Sequence, residues 1–268
     1  LSVMLTHIPS EAPTKLSTYP ANSCKQSKDI YSVNWTKDGS LIVGGNAGSV
    51  TLLGSSFQSV YSGKCGAYID SVTEFDDGYL VMTATYSQSN LQPMTRKLEP
   101  RGVGFAATPV QSFCHMSLST SSIVVVNQKN KSIDVYDRMT FKKHKSISTD
   151  LANLRGIHAL DDNTVVVTDN NHSLVSLYNL KTGKRVWMYT GAKKPTAVSS
   201  DSSGFIYVAA DSPKEICILS PGGKSVDIYI TCLISCLIWV ACSVFLRTMH
   251  NNCEASMKIY FGIILRFS

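Results

Sequence analysis

Short apolar runs recur along the chain at a nearly constant interval. They occupy residues 41–43, 79–81, 123–126, 165–167 and 205–208. From Leu41, the steps to Leu80, Ile123, Val165 and Ile206 are 39, 43, 42 and 41 residues. A turn rich in Asp, Ser or Gly precedes each run, and Asp, Asn and Gly tolerate the backbone of tight hairpins. Each run is therefore predicted to be the second strand of a repeat.

Two further strands are predicted after each second strand. Third strands are expected at 49–53, 132–136, 174–178 and 215–219, and in the second repeat an insert over 86–93 moves the third strand to 94–98. Fourth strands are expected at 57–61, 141–147, 184–189 and 225–230. Together with a first strand before the turn, this gives four short strands in about 41 residues, which is typical of a β-propeller blade.

The sequence therefore predicts an all-β propeller of about five four-stranded blades over residues 29–226. A blade exposes both faces of its sheet, and second strands rich in Val and Ile fit burial between neighbouring blades. No stretch before Val226 has the 3.6-residue period of helical repeats over three turns. A six-bladed ring would need about 240 residues, and the repeat region 29–226 is shorter than that. The ring is therefore either closed with five blades or an incomplete six-bladed one. Residues 1–28 form an N-terminal segment that could add a strand to it.

The last two repeats carry a family resemblance. The stretches concerned are GKRVWMYTG at 183–191, PTAV at 195–198, DSSGFIYVA at 201–209 and ICILSPGGK at 216–224. They resemble the six-bladed NHL-like propellers at the C-terminal end of tripartite-motif (TRIM) proteins, and the resemblance thins towards the first two repeats. It implies a truncated recognition domain for a protein or RNA, without the RING and B-box elements that such ligases use. The WD40 pattern is a weaker match, because the Trp-Asp and Gly-His signatures are missing.

Blade topology divides the loops between two faces. If the strands of a blade are labelled a to d and run antiparallel, the b–c loops and d–a connections lie on one face, and the a–b and c–d turns on the other. On the first face we expect the candidate partner-binding residues Lys64, Lys129, Lys131, Arg155, His172, Lys193, Lys194 and Lys214, against Asp150, Asp169, Asp211 and Glu215. We call it the basic face.

The opposite face, which we call the acidic face, collects turn carboxylates. They are Asp38, Asp76, Asp77, Asp161, Asp162 and Asp201, partly offset by Lys37, Arg138, Lys181, Lys184 and Lys224. Two interpretations are open: the basic face binds a partner, or all these charges are ordinary solvated loop residues, with Asp present for turn chemistry. The net charge of +6 permits an anionic partner but does not indicate a dedicated nucleic-acid binder.

No catalytic, cofactor or metal site is predicted. The eight cysteines lack the paired spacing of zinc sites, and Cys24, Cys65, Cys114 and Cys217 are expected to be free and mostly buried. No nucleophile elbow, phosphate loop or HExxH motif occurs. The axial first-strand positions Val33, Val72, Met116, Ile157 and Ala197 hold no carboxylate, and beside them only His158 could titrate near neutral pH.

The composition changes after Asp227. Residues 228–246 contain no charged side chain, a length that would just cross a bilayer. Three interpretations of 227–268 are open: an unrelated end on a truncated propeller, a membrane span, or a further core segment. The leading functional hypothesis is a cytoplasmic, non-catalytic scaffold that binds a protein or RNA partner. A membrane-anchored extracellular propeller and an axial-metal hydrolase or lyase are the alternatives.

Overall fold

The computed structural model describes residues 30–45, 48–54, 58–65, 68–84, 89–102, 104–106, 115–212 and 214–231. Within these ranges the chain forms twenty strands and no helix. No helix long and apolar enough to cross a membrane is found there. The predictions for residues 1–28, and for the tail beyond Thr231, lie outside the described residues.

The strands form five sheets of four, and neighbouring strands in each sheet are antiparallel and consecutive. Blade 1 contains β1 (Ile30–Trp35), β2 (Leu41–Gly45), β3 (Ser49–Leu53) and β4 (Ser59–Lys64). Blade 2 contains β5 (Tyr68–Phe75), β6 (Gly78–Ala84), β7 (Ser89–Met94) and β8 (Phe105–Ala106). Blade 3 contains β9 (Met116–Leu118), β10 (Ser122–Asn127), β11 (Ser132–Asp137) and β12 (Lys143–Ser148). Blade 4 contains β13 (Leu154–Ala159), β14 (Thr164–Asp169), β15 (Leu174–Asn179) and β16 (Arg185–Tyr189). Blade 5 contains β17 (Pro195–Ser200), β18 (Ile206–Asp211), β19 (Lys214–Leu219) and β20 (Ser225–Thr231).

The first strand of every blade lines a central channel, so the five blades form a propeller ring. Neighbouring first strands pack together along the series β1, β5, β9, β13 and β17. Strands β17 and β1 make no comparable contact in the part of the chain that the structure describes. The predicted all-β class and four-stranded blades are confirmed, and five blades are described.

The second strand of each blade is buried almost throughout its length, as its apolar sequence predicts. One apolar cluster joins blades 1 and 2 through Ile42 and Ile69, and a second extends from blade 2 through blade 3 to blade 4. A third joins blades 4 and 5 through Val166 and Val208. Because Val165 packs in the second cluster and Val166 in the third, β14 contributes to the core on both sides of its sheet.

The third strand of blade 2 is β7, so its predicted position at 94–98 is wrong. The insert is shorter than expected, because Pro93 lies inside the strand opposite Leu80 rather than at the end of a loop. Strand β8 pairs only with Asn90 and Leu91, so Pro93 lies beyond that ladder, where its missing N–H breaks no strand pairing. The carbonyl of Pro93 accepts the Arg101 N–H at 2.8 Å. Two fourth strands, β4 and β12, also begin two residues later than predicted.

The c–d turns of blades 2 to 5 share one backbone feature. Each contains a residue with positive φ: Leu98 at 62°, Phe141 at 56°, Gly183 at 71° and Gly223 at 76°. A polar residue opens each turn, and in blade 3 the Oδ1 atom of Asp137 accepts the Met139 N–H at 3.1 Å and the Thr140 N–H at 2.7 Å. Leu and Phe rarely adopt positive φ, so contacts from outside the turn must stabilise it in blades 2 and 3.

These positive-φ residues meet the outer strand of the preceding blade. The Leu98 backbone lies so close to Gly63 of β4 that a Cβ atom there would be 2.2 Å from the Leu98 carbonyl oxygen. The Phe141 ring stacks on Phe105 of β8, with 4.3 Å between centroids. Between blades 4 and 5 the large residue is on the outer strand and the glycine is in the turn. A Cβ atom added at Gly223 would lie 2.6 Å from the Trp187 ring of β16. We call these three contacts the rim contacts.

The rim contacts predict a graded effect of alanine at three glycines. Gly223→Ala combines positive φ with a collision against Trp187, so it should lower the free energy of unfolding by about 2–4 kcal/mol. Gly39→Ala has positive φ but nothing within 4 Å, and should cost about 1–2 kcal/mol. Gly222→Ala has neither, and should stay within about 0.5 kcal/mol.

Urea unfolding followed by circular dichroism measures all three variants. Equal losses for Gly223→Ala and Gly39→Ala would show that the Trp187 ring does not press on the turn.

Candidate binding faces and central channel

The eight candidate residues of the basic face all lie in b–c loops, in d–a connections or at adjoining strand ends. Lys64, Lys129, Lys131, His172, Lys193 and Lys194 are exposed, whereas Arg155 and Lys214 are half-buried. Because all blades run antiparallel in the same order, these segments leave the sheets on the same side. Their assignment to a partner remains a prediction.

The lysines of this face are not engaged by carboxylates. Among the described residues, none of Lys64, Lys129, Lys131, Lys193, Lys194 and Lys214 forms an ion pair. Two of the four acids expected beside them are already engaged: Asp150 pairs with Arg185 at 2.9 Å, and Asp169 is fully buried. Asp211 and Glu215 remain, so six lysines face two carboxylates that lack ion-pair partners.

Asp169 organises the b–c loop of blade 4. Its carboxylate accepts N–H groups of Ala152 at 2.6 Å, Asn153 at 3.1 Å and Asn171 at 3.0 Å. Its Oδ2 atom also lies 2.9 Å from Nδ1 of His172, whose side chain is 53% exposed. A buried carboxylate with several donors is a structural anchor. Asp169 therefore holds the His172 ring in place on the basic face.

Three lysines and His172 meet where blades 4 and 5 adjoin. The Lys194 N–H donates to Ser173 Oγ at 3.1 Å, and the Lys194 carbonyl accepts the Asp211 N–H at 3.1 Å. Asp211 is paired with Lys214 across the b–c turn of blade 5. The d–a connection is thereby tied to both neighbouring b–c loops. We call His172, Lys193, Lys194 and Lys214 the basic corner.

On the acidic face, several aspartates are used in their own turns. The Oδ1 atom of Asp161 accepts the Asn163 and Thr164 N–H groups at 2.6 and 2.7 Å. Asp201 accepts the Ser203 and Phe205 N–H groups, each at 2.9 Å. The Thr36 hydroxyl and the Ser40 N–H bind Asp38 in the same way and lower the pKa of that carboxyl. For these three residues the geometry matches the interpretation as turn chemistry.

Other acids, namely Glu74 near the end of β5 and Asp76 and Asp162 of the acidic face, tie adjacent blades together. Glu74 of blade 2 accepts the Lys37 N–H of blade 1 at 2.5 Å and pairs with Arg96 at 2.7 Å. Asp76 of blade 2 pairs with Arg138 of blade 3 at 2.9 Å. Arg138 also lies 5.0 Å from the centroid of the Phe75 ring, so it contacts blade 2 through two groups.

Blades 3 and 4 are tied in the same manner. Asp162 accepts the Ser121 N–H at 3.0 Å and the Ser121 hydroxyl at 3.1 Å. Hydrogen bonds from Ser119 and Ser121 lower the pKa of the Asp162 carboxyl. We call the bonds of Glu74, Asp76 and Asp162 the inter-blade ties. They engage much of the charge of the acidic face within the fold.

The central channel is polar, and the part of its wall that the structure describes carries no formal charge. It encloses about 210 Å³, and all five predicted axial residues line it: Val33, Val72, Met116, Ile157 and Ala197. The described lining residues include no Asp, Glu, Lys, Arg or Cys. No group of His, Cys, Asp and Glu able to hold a metal ion is found in the described ranges.

Two histidines line the channel in their neutral forms. His158 Nε2 lies 3.0 Å from Ser200 Oγ of blade 5, and burial lowers the pKa of His158 to about 4. Burial, and then the charge of Arg155, lower the pKa of His115 to about 3. Sequence reasoning singled out His158 but missed His115, which stands just before β9 and has no local motif to mark it.

The thiols described here are free. Burial raises the pKa of Cys65 to about 11, and burial together with Glu215 raises that of Cys217 to about 12. Both are therefore protonated at neutral pH and weakly reactive. Cys24 and Cys114 lie outside the described residues.

No protein-family model and no curated protein matches the chain. Among solved structures it is similar to the WD40 β-propeller domain of Doa1, with a TM-score of 0.61 and 15% sequence identity over 77% of this chain and 70% of that one. It is also similar to a protein of unknown function from Bacteroides caccae, with a TM-score of 0.58 and 11% identity over 74% of this chain and 80% of that one. The fold is a β-propeller. At these identities the likeness concerns the propeller fold alone.

The neutral histidines predict that acid destabilises the propeller. Unfolded imidazoles titrate near pH 6.5, whereas the folded pKa values are about 4 and about 3. The unfolded state therefore binds more protons, so this stabilisation is complete above about pH 6.5 and is lost as the pH falls towards 4. His158→Gln should reduce the acid-induced loss in free energy of unfolding by on the order of 2 kcal/mol.

Urea titrations at about pH 7 and about pH 4.5 measure this difference. His144→Gln, at an exposed position of β12, is the matched control. A pH dependence in His158→Gln parallel to that of the original protein would contradict the prediction.

Proposed function

We propose that this propeller is a non-catalytic scaffold that binds an acidic segment of a protein partner on its basic face. The observation that carries the proposal is the difference between the two faces. The six lysines of the basic face make no ion pair among the described residues, whereas acids and Arg138 of the acidic face are engaged in turns and inter-blade ties.

Unpaired lysines on one face create a positive potential that favours encounter with an anionic partner. Surface ion pairs stabilise a fold only weakly, so leaving these lysines unpaired costs the propeller little. The candidate residues come from segments of several blades, and so wide a set suits a macromolecule better than a small ligand. The charge of the face and the distribution of its lysines over several blades therefore support the same class of partner.

The basic corner is the proposed centre of the interface. Backbone hydrogen bonds at Lys194 hold the d–a connection against Ser173 and Asp211, so three lysines project from one braced surface. The buried Asp169 carboxylate holds the His172 ring through its contact with Nδ1. A preorganised surface lowers the entropy lost on binding. Lys129 and Lys131 would extend the contact on blade 3.

In the NHL-like interpretation, this face would recognise the target of a cytoplasmic TRIM-type protein whose other domains act on it. RNA could use the same lysines, and its phosphate contacts would make affinity fall steeply with salt. Membrane anchoring and axial-metal catalysis have no supporting observation among the described residues. An acidic protein segment is therefore the partner that we put to the test.

Charge reversal at the basic corner should abolish or severely weaken binding. In the full chain, Lys193→Glu with Lys194→Glu should reduce affinity for a labelled Asp/Glu-rich peptide by roughly tenfold or more, because attraction becomes repulsion. Fluorescence anisotropy at about 0.05 and 0.15 M salt measures the affinity and its screening.

The matched control is Lys181→Glu with Lys224→Glu, which changes the net charge equally on the acidic face. Equal losses in both double variants would mean that only net charge matters, and the proposed interface would be wrong. Tighter binding of a single-stranded RNA, with a steeper salt dependence, would assign the face to RNA instead.

A further inference from the structure

The central channel has a chemistry that differs from that of both faces. Serine, threonine, asparagine and histidine side chains from the first strands line it, and its described wall carries no formal charge. Because the pKa values of His115 and His158 are about 3 and about 4, both rings stay uncharged at neutral pH. The polar groups in the wall are therefore neutral hydrogen-bonding groups.

Three hydroxyls of the wall are oriented by the neighbouring blade. Ser32 Oγ accepts the Val72 N–H at 3.0 Å, and Ser117 Oγ accepts the Ala159 N–H at 3.0 Å. Thr73 Oγ1 accepts a bond from Asn34 Nδ2 at 3.1 Å. Each oxygen is therefore held as an acceptor. Its own hydrogen has no acceptor within the described part of the chain.

Acceptors accompany these donors. Asn34 Oδ1 is an acceptor, His158 Nδ1 accepts or donates according to the tautomer of the ring, and Ser199 supplies a hydroxyl. None of these three groups makes a hydrogen bond among the described residues. A hydroxyl group of a ligand can donate and accept at once, so it complements both kinds of group. A ring of such groups matches a molecule that carries several hydroxyls.

The absence of charged side chains from the described wall restricts the ligand further. Moving an ion into a site without an opposite charge costs several kcal/mol, whereas a neutral hydroxyl needs only its hydrogen bonds replaced. The volume of about 210 Å³ holds about seven waters, or on the order of ten non-hydrogen atoms of a ligand. This size suits a single sugar or a small polyol.

We propose that the central channel binds a small, uncharged polyhydroxyl compound through Ser32, Thr73, Ser117, His158 and Ser199. This site is independent of the basic face, because none of its residues belongs to the basic corner. Its ligand and its geometry can therefore be tested separately from the proposed scaffold function.

The test uses the full chain with D-glucose and myo-inositol as probes, followed by saturation-transfer NMR and calorimetry. At least one should bind saturably with a Kd of roughly 1 mM or tighter. Glucuronate, which has the ring of glucose and one carboxylate, should bind at least about tenfold more weakly. Absence of saturable binding by either neutral probe would leave the channel as a water-filled space and overturn the proposal.

Variants assign the binding to the channel. Ser199→Val removes a hydroxyl that makes no hydrogen bond among the described residues, and should weaken glucose or inositol binding by about tenfold. Thr73→Val should have a similar effect, but its hydroxyl also joins two blades, so Ser199→Val keeps the test valid if Thr73→Val fails to fold. Ser148→Ala, on the exposed outer strand β12, is the control.

Unchanged affinity in Ser199→Val and Thr73→Val would show that the sugar binds elsewhere. Equal affinity for glucuronate would show that the wall does not exclude charge. Binding of the acidic peptide to the basic face should be the same in Ser199→Val as in the original protein, so failure of either proposal is recognised without the other.

Discussion

Each blade has a central strand that is apolar on both sides, and the whole fold depends on covering both. In β10, Ile123, Val124, Val125 and Val126 are completely buried. Burying one such side chain contributes about 1.5–3 kcal/mol, and an isolated sheet of this kind would leave both of its faces in water. Neighbouring blades supply the cover, so stability comes from contacts between repeats as much as from within them. The rim contacts and inter-blade ties then determine how closely the blades approach.

The same arrangement divides the polar chemistry of the protein into three zones. Turns on the acidic face engage their carboxylates with neighbouring blades, as Asp76 does with Arg138 and Asp162 with Ser121. Loops on the basic face are held mainly by backbone groups and by the buried Asp169, which leaves lysine side chains in solvent. Along the channel, uncharged hydroxyl and imidazole groups link neighbouring blades. A ligand would meet a different chemistry at each zone.

Local pattern was enough to predict most of the blade architecture. The second strands and the third strands of blades 1, 3, 4 and 5 follow from apolar runs and turn residues, because these signals lie within one repeat. The predicted position of β7 is wrong because Pro93 lies inside the strand, at a position that β8 does not reach. The division of loops into faces follows from antiparallel topology. The ion-pair partners of the charged residues do not follow from the topology or from local pattern, because residues such as Arg138 and Asp76 are 62 positions apart in the chain.

The rim contacts make each junction between blades individual in shape. Where the Leu98 backbone approaches the preceding blade, the outer strand there has Gly63, and where the Trp187 ring occupies the junction, the following turn has Gly223. A transplant of blade 2 behind blade 4 would set leucine against the Trp187 ring, where even an added Cβ atom would lie at only 2.6 Å. The repeats therefore share a backbone fold, but their inter-blade junctions are not interchangeable. Any shuffling, duplication or deletion of whole blades, by evolution or by an engineer, must exchange both halves of a junction together.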